Sequence, residues 1–278
     1  MKTQLISFCA AVSFALLFAT NASAYFVRPV VSFGPGTIID GLIVDGSTQN
    51  AVGFSDAARS ARSDVNLETG EVKLFASASG PGTSASANGI MGDTLTFLNG
   101  AGTSASFSFG LEATLDIDVS METLDSPGFF ATVTMGVFNQ GVADFTNWFS
   151  LGTDALFFGT DSFSLTDPQT DVLDQLVEIG VFGNVPLASG RETLDVFYAA
   201  FIAGGSGSFG QITSFMFDGE NTAIAGLDAG EGVDVFSDSG VFLGFGREPS
   251  SQVPAPMSAL LLAIGLLVMR FTRISTSS

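Results

Sequence analysis

Carboxylates are the only abundant chemically active side chains in this chain: 28 Asp and Glu stand against nine Lys and Arg, with no histidine. Two groups of them have spacings that could hold a cation. Asp116 and Asp118 sit two residues apart in an alternating stretch, with Glu112 four residues before, and would point the same way. Asp228, Glu231 and Asp234 lie in a glycine-rich loop. Hard oxygen ligands on glycine turns suit calcium, so Asp116, Asp118, Asp228 and Asp234 are the calcium candidates. No EF-hand loop or repeated calcium motif accompanies them, and the preferred reading is a solvated acidic face that keeps strand edges from pairing.

The lack of histidine removes the usual catalytic triads, the common zinc sites and the commonest general base. Gly205-Ser206-Gly207-Ser208-Phe209 is a glycine-serine turn, outside the strand-turn-helix setting of a nucleophile elbow. So many carboxylates are compatible with a two-acid glycosidase. Its sugar platform would be thin, because Trp148, Tyr25 and Tyr198 are the only Trp and Tyr residues and the phenylalanines fall at core spacing. No phosphate loop, dinucleotide fingerprint or basic-aromatic strip occurs. The expectation is a non-enzymatic protein with no catalytic residues and no cofactor other than the calcium considered above.

The elements that carry these residues read as strands. Phe107, Phe109, Leu111, Ala113, Leu115, Ile117 and Val119 alternate with polar or small residues up to Ser120, the signature of a half-buried antiparallel strand. Phe129–Phe138 reads as its neighbour across the Ser126-Pro127-Gly128 turn. Tyr25–Phe33 and Thr37–Asp45 flank Gly34-Pro35-Gly36, and residues 46–63, small and polar, read as a loop. Val65–Leu74 is a hairpin turning at Thr69-Gly70, running on into 76–79. Gly82-Thr83-Ser84-Ala85-Ser86 recurs 20 residues later from Gly102, a repeated strand-turn design, with a short strand at 93–97 between the copies. Further strands are expected at 148–151, 155–158, 162–165, 208–218 and 233–243. Leu194–Ala203, nearly all apolar, reads as a central buried strand. One helix is suggested at 167–180: Asp167 caps, Pro168 suits the first turn, and Val172, Leu173, Leu176, Val177 and Ile179 form a stripe. The same residues could form a strand. Together these make an all-β fold, a β-sandwich or jelly roll with at most one short helix.

The two ends read as addresses. Lys2, an apolar region from Leu5 to Ala19, and an Ala-x-Ala site at Ala22 and Ala24 form a secretory signal peptide over 1–24. Its removal would take away Cys9, the single cysteine, and with it disulfide and thiolate chemistry. The domain would span 25–245, followed by a linker at 246–252. Arg28, Arg59, Arg62, Lys73, Arg191 and Arg247 are the only basic residues from 25 to 253, against all the acids. Such a polyanion repels nucleic acid and anionic lipid surfaces.

Residues 253–278 combine three features in order: Pro254-Ala255-Pro256, an uncharged apolar run over 257–269, and Arg270 with Arg273. As a helix the run would measure roughly 20 Å against a hydrocarbon core of about 30 Å. That length suits a transient membrane insert better than a permanent span, and the arginines would stay in the cytoplasm.

This tail resembles the PEP-CTERM sorting signal of Gram-negative bacteria, with Ala255 where that family usually has glutamate. The resemblance implies an exosortase-like processing protease as partner, cutting near Pro254–Pro256. It also implies an inner-membrane intermediate, then release to the cell surface or an exopolysaccharide matrix. The patterns at Leu67–Ser79, Asp93–Gly100 and Asn221–Leu243 look like the sandwich domains of such sorted proteins. Two alternatives stand beside a sorted matrix protein: a permanently anchored single-pass protein with a periplasmic domain, and a secreted carbohydrate-binding module.

Overall fold

The computed structural model describes residues 25–33, 37–44, 48–80, 82–119, 129–142, 154–165, 171–205 and 212–248. The chain divides into two compact units, residues 1–247 and 248–278. Of the second, Glu248 alone falls among the described residues. The expected signal peptide, the strand at 148–151 and the sorting tail with Pro254, Ala255, Pro256, Arg270 and Arg273 lie outside them.

The first unit is built from antiparallel strands, with no α-helix among the described residues. One sheet, here sheet A, runs β10 (Phe157–Leu165), β9 (Phe129–Asn139), β12 (Arg191–Gly205), β7 (Ser84–Leu98), β1 (Tyr25–Phe33) and β2 (Thr37–Asp40). Short strands β3 (Ile43–Val44) and β14 (Asp234–Ser237) add to β1 and β7. Sheet B runs β11 (Val172–Leu187), β8 (Thr103–Val119), β13 (Ile212–Asp228), β6 (Glu71–Ser79), β5 (Arg59–Asn66) and β4 (Gln49–Ser55). Their facing sides share one core, in which Phe129 of sheet A stacks on Phe217 of sheet B at 4.7 Å. The architecture is the antiparallel β-sandwich that alternation predicts.

Glycine sets how closely the sheets approach. A Cβ at Gly89 of β7 would lie 2.2 Å from Val72 of β6 and 3.0 Å from Val65 of β5. Beside that contact, Ser63 of β5 is buried and donates to the Asn88 carbonyl at 2.8 Å. The 20-residue repeat is a repeated turn. Thr83 and Thr103 each return their hydroxyl to the carbonyl three residues back, Gly80 and Gly100, both at 2.7 Å. Gly82 and Gly102, at φ 72° and 80°, take the left-handed position that a side chain resists.

Six expectations change. The strand expected at 233–243 stops at Ser237, where the chain turns around Asp93 into a single 3-10 turn at Phe242–Gly244, and Thr37–Asp45 is broken into Thr37–Asp40 and Ile43–Val44. The stretch at 46–63 contains strand β4 and most of β5. Its inward residues include Ala61 and Ser63, so the alternation is real but carries little hydrophobic signal. The strands read at 155–158 and 162–165 are one strand, Phe157–Leu165, with Ala155 and Leu156 ahead of it. Phe129–Phe138 does not pair with the 107–120 strand. β9 pairs with β10 and β12, β8 pairs with β11 and β13, and the two face each other across the core.

The helix reading of 167–180 fails over the described part, where Val172–Leu187 is strand β11. A register shift between Val172 and Gln175, with Asp174 at φ 50°, leaves both Leu173 and Leu176 exposed. Across the bulge Val172, Leu173, Leu176, Val177 and Ile179 therefore mimic a helical stripe. Beyond it, Val177, Ile179, Val181, Val185 and Leu187 alternate inward with period two.

Candidate functional site

The acids singled out by spacing lie on sheet B and at its margin. Asp116 and Asp118 do share the outer side of β8, beside a groove of about 470 Å³ edged also by Asp56, Arg59 and Met216. Each, however, has structural work. Asp116 accepts from the Asp174 N–H at 2.6 Å, which pins the β11 bulge, and Asp118 accepts from the Ser214 hydroxyl at 2.6 Å. The Arg59 guanidinium and the Ala58 N–H hold Asp56 below the usual carboxylate range. Glu112 is exposed and pairs with Glu178 on β11. Asp228 closes its own turn by accepting from the Gly230 N–H at 2.9 Å, and Asp234 accepts from Asn99 at 3.1 Å. Asp228 ends a sheet B strand while Asp234 starts one in sheet A. Among the described residues no three acids converge in a way that could hold a metal.

Among the described residues the buried acids are two that spacing did not single out. Asp93 of β7 is fully buried on the core side of sheet A. Ser237 and Ser239 donate their hydroxyls to one carboxylate oxygen, both at 2.6 Å. The N–H groups of Thr94 and Ser239 reach the other at 2.7 and 3.3 Å. Burial pushes the carboxyl up to about 6, against the pull of those donated bonds.

The same serine oxygens accept from the N–H groups of Gly240, Val241 and Phe242. They thus fold residues 237–242 around the acid. Phe242 then enters the core against Tyr198, and the Leu243 N–H donates to the Leu67 carbonyl on the sheet B side. This strap ties the two sheets together at one end. With Asp93, Ser237 and Ser239 all buried, the cluster offers no open face to a substrate; it is a latch.

Asp195 of β12 is the second buried acid, on the opposite side of sheet A. It accepts from the Thr94 hydroxyl and from the Gly141 N–H, each at 2.7 Å. The available signal for both was an aspartate inside an apolar strand, as in Leu194-Asp195-Val196.

The outer face of sheet A is unusual in a second way. Phe26, Ile90, Phe138, Phe197 and Ala199 form a hydrophobic cluster of their own there, buried to 5% exposure or less. Phe26 and Phe138 lie over Gly92 and Gly136, where a Cβ would come within 2.4 and 2.6 Å of the rings. Beside this cluster the face opens into a groove of about 410 Å³ across β7, β12, β9 and β10. Its floor is Ala199, with Asn88, Thr134 and Thr160 around it and Phe130 and Phe201 at one side.

Comparison with known proteins adds little. No family model and no curated protein matches the sequence. Among solved structures the chain is similar to the enzymatically active domain of tailspike protein 4 of bacteriophage CBA120, at 10% identity and a TM-score of 0.25. The match covers 66% of this chain and 20% of that one, so this chain spans about a fifth of its length. A likeness this distant carries no argument about activity. Among the described residues no helix is long and apolar enough to cross a membrane, which says nothing of β-barrels.

Proposed function

We propose that this is a non-enzymatic structural protein of the cell surface or extracellular matrix, exported by its signal peptide and sorted by its tail. The observation that carries the reading is the order of Pro254-Ala255-Pro256, the apolar run at 257–269, and Arg270 with Arg273, placed after an acidic all-β body. In this reading the short apolar run pauses the chain in the inner membrane. An exosortase-like protease then cuts near the prolines and releases the sandwich toward exopolysaccharide.

Two features of the body fit a load-bearing cargo. The strap that leads toward residue 248 is latched to the core through Asp93 and Phe242. The acids at Asp116, Asp118, Asp228 and Asp234 serve turns and strand pairs, as a solvated acidic face would.

Mass spectrometry of the C-terminus of the protein recovered from the cell surface tests the proposal. The expected mature form ends near Pro254–Pro256. A surface form that still contains Leu260–Arg273 would overturn cleavage and leave a permanent anchor.

A further inference from the structure

We propose that the groove on the outer face of sheet A binds a neutral polysaccharide. The site follows from strand register. Asn88, Phe201 and Thr132 lie in one row across β7, β12 and β9, and Ala199, Thr134 and Thr160 lie in the next row across β12, β9 and β10. Phe130 stands on β9 in the row on the other side of the first. Three rows two residues apart span about 14 Å along the strands. That is a shelf of several sugar rings, not a pocket for one.

Its chemistry alternates as a sugar's does. Phe130, 39% exposed, and Phe201 have ring centroids 6.2 Å apart at 53°, which offers two aromatic faces to the C–H side of a pyranose. Thr134 and Thr160 pair their hydroxyls at 3.2 Å, and Thr132 donates to the Asp161 carbonyl at 3.0 Å. Each keeps acceptor capacity for a ligand hydroxyl. Asn88 adds a further observation: its Oδ1 is buried and has no hydrogen-bond partner among the described residues. An unpaired buried acceptor is costly, and turning the Asn88 amide toward the groove would let a ligand O–H satisfy it.

Charge narrows the occupant. No charged side chain lines the groove among the described residues, so a cationic ligand finds no counter-ion there. The chain's net charge of −19 repels an anionic polymer. An acyl chain or an apolar peptide would cover the threonine hydroxyls and Asn88 without supplying donors. A neutral, hydroxyl-rich chain meets all three conditions. The proposal adds a site and a ligand chemistry to the matrix reading, and binding at this shelf does not depend on how the C-terminus is processed.

Native affinity electrophoresis of the full-length protein tests it, with laminarin, dextran or galactomannan cast in the gel as neutral probes and alginate as the anionic one. The expected result is retardation by at least one neutral probe and none by alginate. Phe130→Ala should weaken that retardation about tenfold, and the near-isosteric Thr160→Val several-fold, with the denaturation midpoint of each variant confirming that it folds. The idea is overturned if no neutral probe retards the protein, if alginate retards it equally, or if the well-folded Phe130→Ala variant binds unchanged. It is also overturned if Phe130→Ala abolishes a concentration-dependent dimer seen by sedimentation, because the face would then belong to a second copy.

Discussion

The two sheets share one core but treat their outer faces in opposite ways. On sheet B the outward side of β8 reads Ser108, Gly110, Glu112, Thr114, Asp116, Asp118, and it is wet. On sheet A the outward side of β12 includes Asp195, Phe197 and Ala199, and all three are buried. Strict alternation marks a sheet with one dry side, whereas a nearly unbroken apolar run marks a strand with two. In this molecule the polar residues inside such runs, Asp93 and Asp195, hold the connections: the strap in one case and the turn at Gly141 in the other.

The largest expected effect tests that contrast directly. Phe197→Ala removes a fully buried ring from the outer side of sheet A, although that side faces away from the sandwich core. It should cost about 3–5 kcal/mol, as an interior phenylalanine does. Phe182→Ala on the outer side of sheet B, where the ring is 63% exposed, should stay within about 0.5 kcal/mol. Urea denaturation of the two variants reads both numbers. Equal small losses would mean that the second cluster contributes no packing and that sheet A has an ordinary wet face.

Asp93 gives the next largest effect, and its sign is definite. Its folded pKa of about 6 lies above its ordinary value of 3.8, so its stabilising contribution is complete below pH 3.8. That contribution is lost as the pH rises through 6, where the buried acid must ionise. The shift corresponds to about 3 kcal/mol between the two limits. Other carboxylates titrate in the same range, so the informative quantity is the difference between the wild type and Asp93→Asn. Urea midpoints from pH 4 to 7.5 should show the wild type losing stability relative to the variant, most steeply about midway between 3.8 and 6 and levelling off above 6. A constant difference across that range would mean that water reaches the latch.

These contrasts also explain how much was legible in the residues. Strand β8 could be read from Phe107 onward, because every inward residue there is apolar and every outward one is polar or glycine. Leu194–Ala203 could be read as central because nothing in it favours water except Asp195. The strand at Arg59–Asn66 could not, since Ala61 and Ser63 face inward in a narrow part of the core and resemble loop residues. The bulge at Val172–Gln175 counterfeited a helix by exposing Leu173 and Leu176 on a strand. Of the sites, the spacing of Asp116 and Asp118 correctly placed them on one face. It carried no information about their partners Asp174 and Ser214, which are 58 and 96 residues away. The latch was invisible for the same reason, since Asp93 and Ser237 are 144 residues apart.

A smaller effect comes from the core side of β12. Tyr198 is completely buried between Phe109 and Phe242, and its hydroxyl has no hydrogen-bond partner among the described residues. Burial alone drives the phenol well above its ordinary pKa, so it stays neutral at any working pH. Tyr198→Phe keeps the ring and deletes the unsatisfied group, and should raise stability by about 1 kcal/mol in urea denaturation. A loss of similar size would show that the hydroxyl has a partner after all, and that this side of the sheet is less dry than its outer side.

The smallest expected effect belongs to the acidic face of sheet B. If Asp116 and Asp118 serve the bulge and the Ser214 pair, then calcium at millimolar concentration should leave the thermal midpoint where a chelator leaves it. A site that bound calcium in the folded state alone would raise stability in proportion to the logarithm of its concentration over Kd, a response that is hard to miss. Asp118→Asn keeps an oxygen for the Ser214 hydroxyl while removing charge from an exposed position, so it should change stability by less than about 0.5 kcal/mol. A clear calcium-dependent rise in the midpoint that Asp118→Asn abolishes would convert this wet face from a solubilising surface into a cation site. The division of labour between the two sheets would then have to be redrawn.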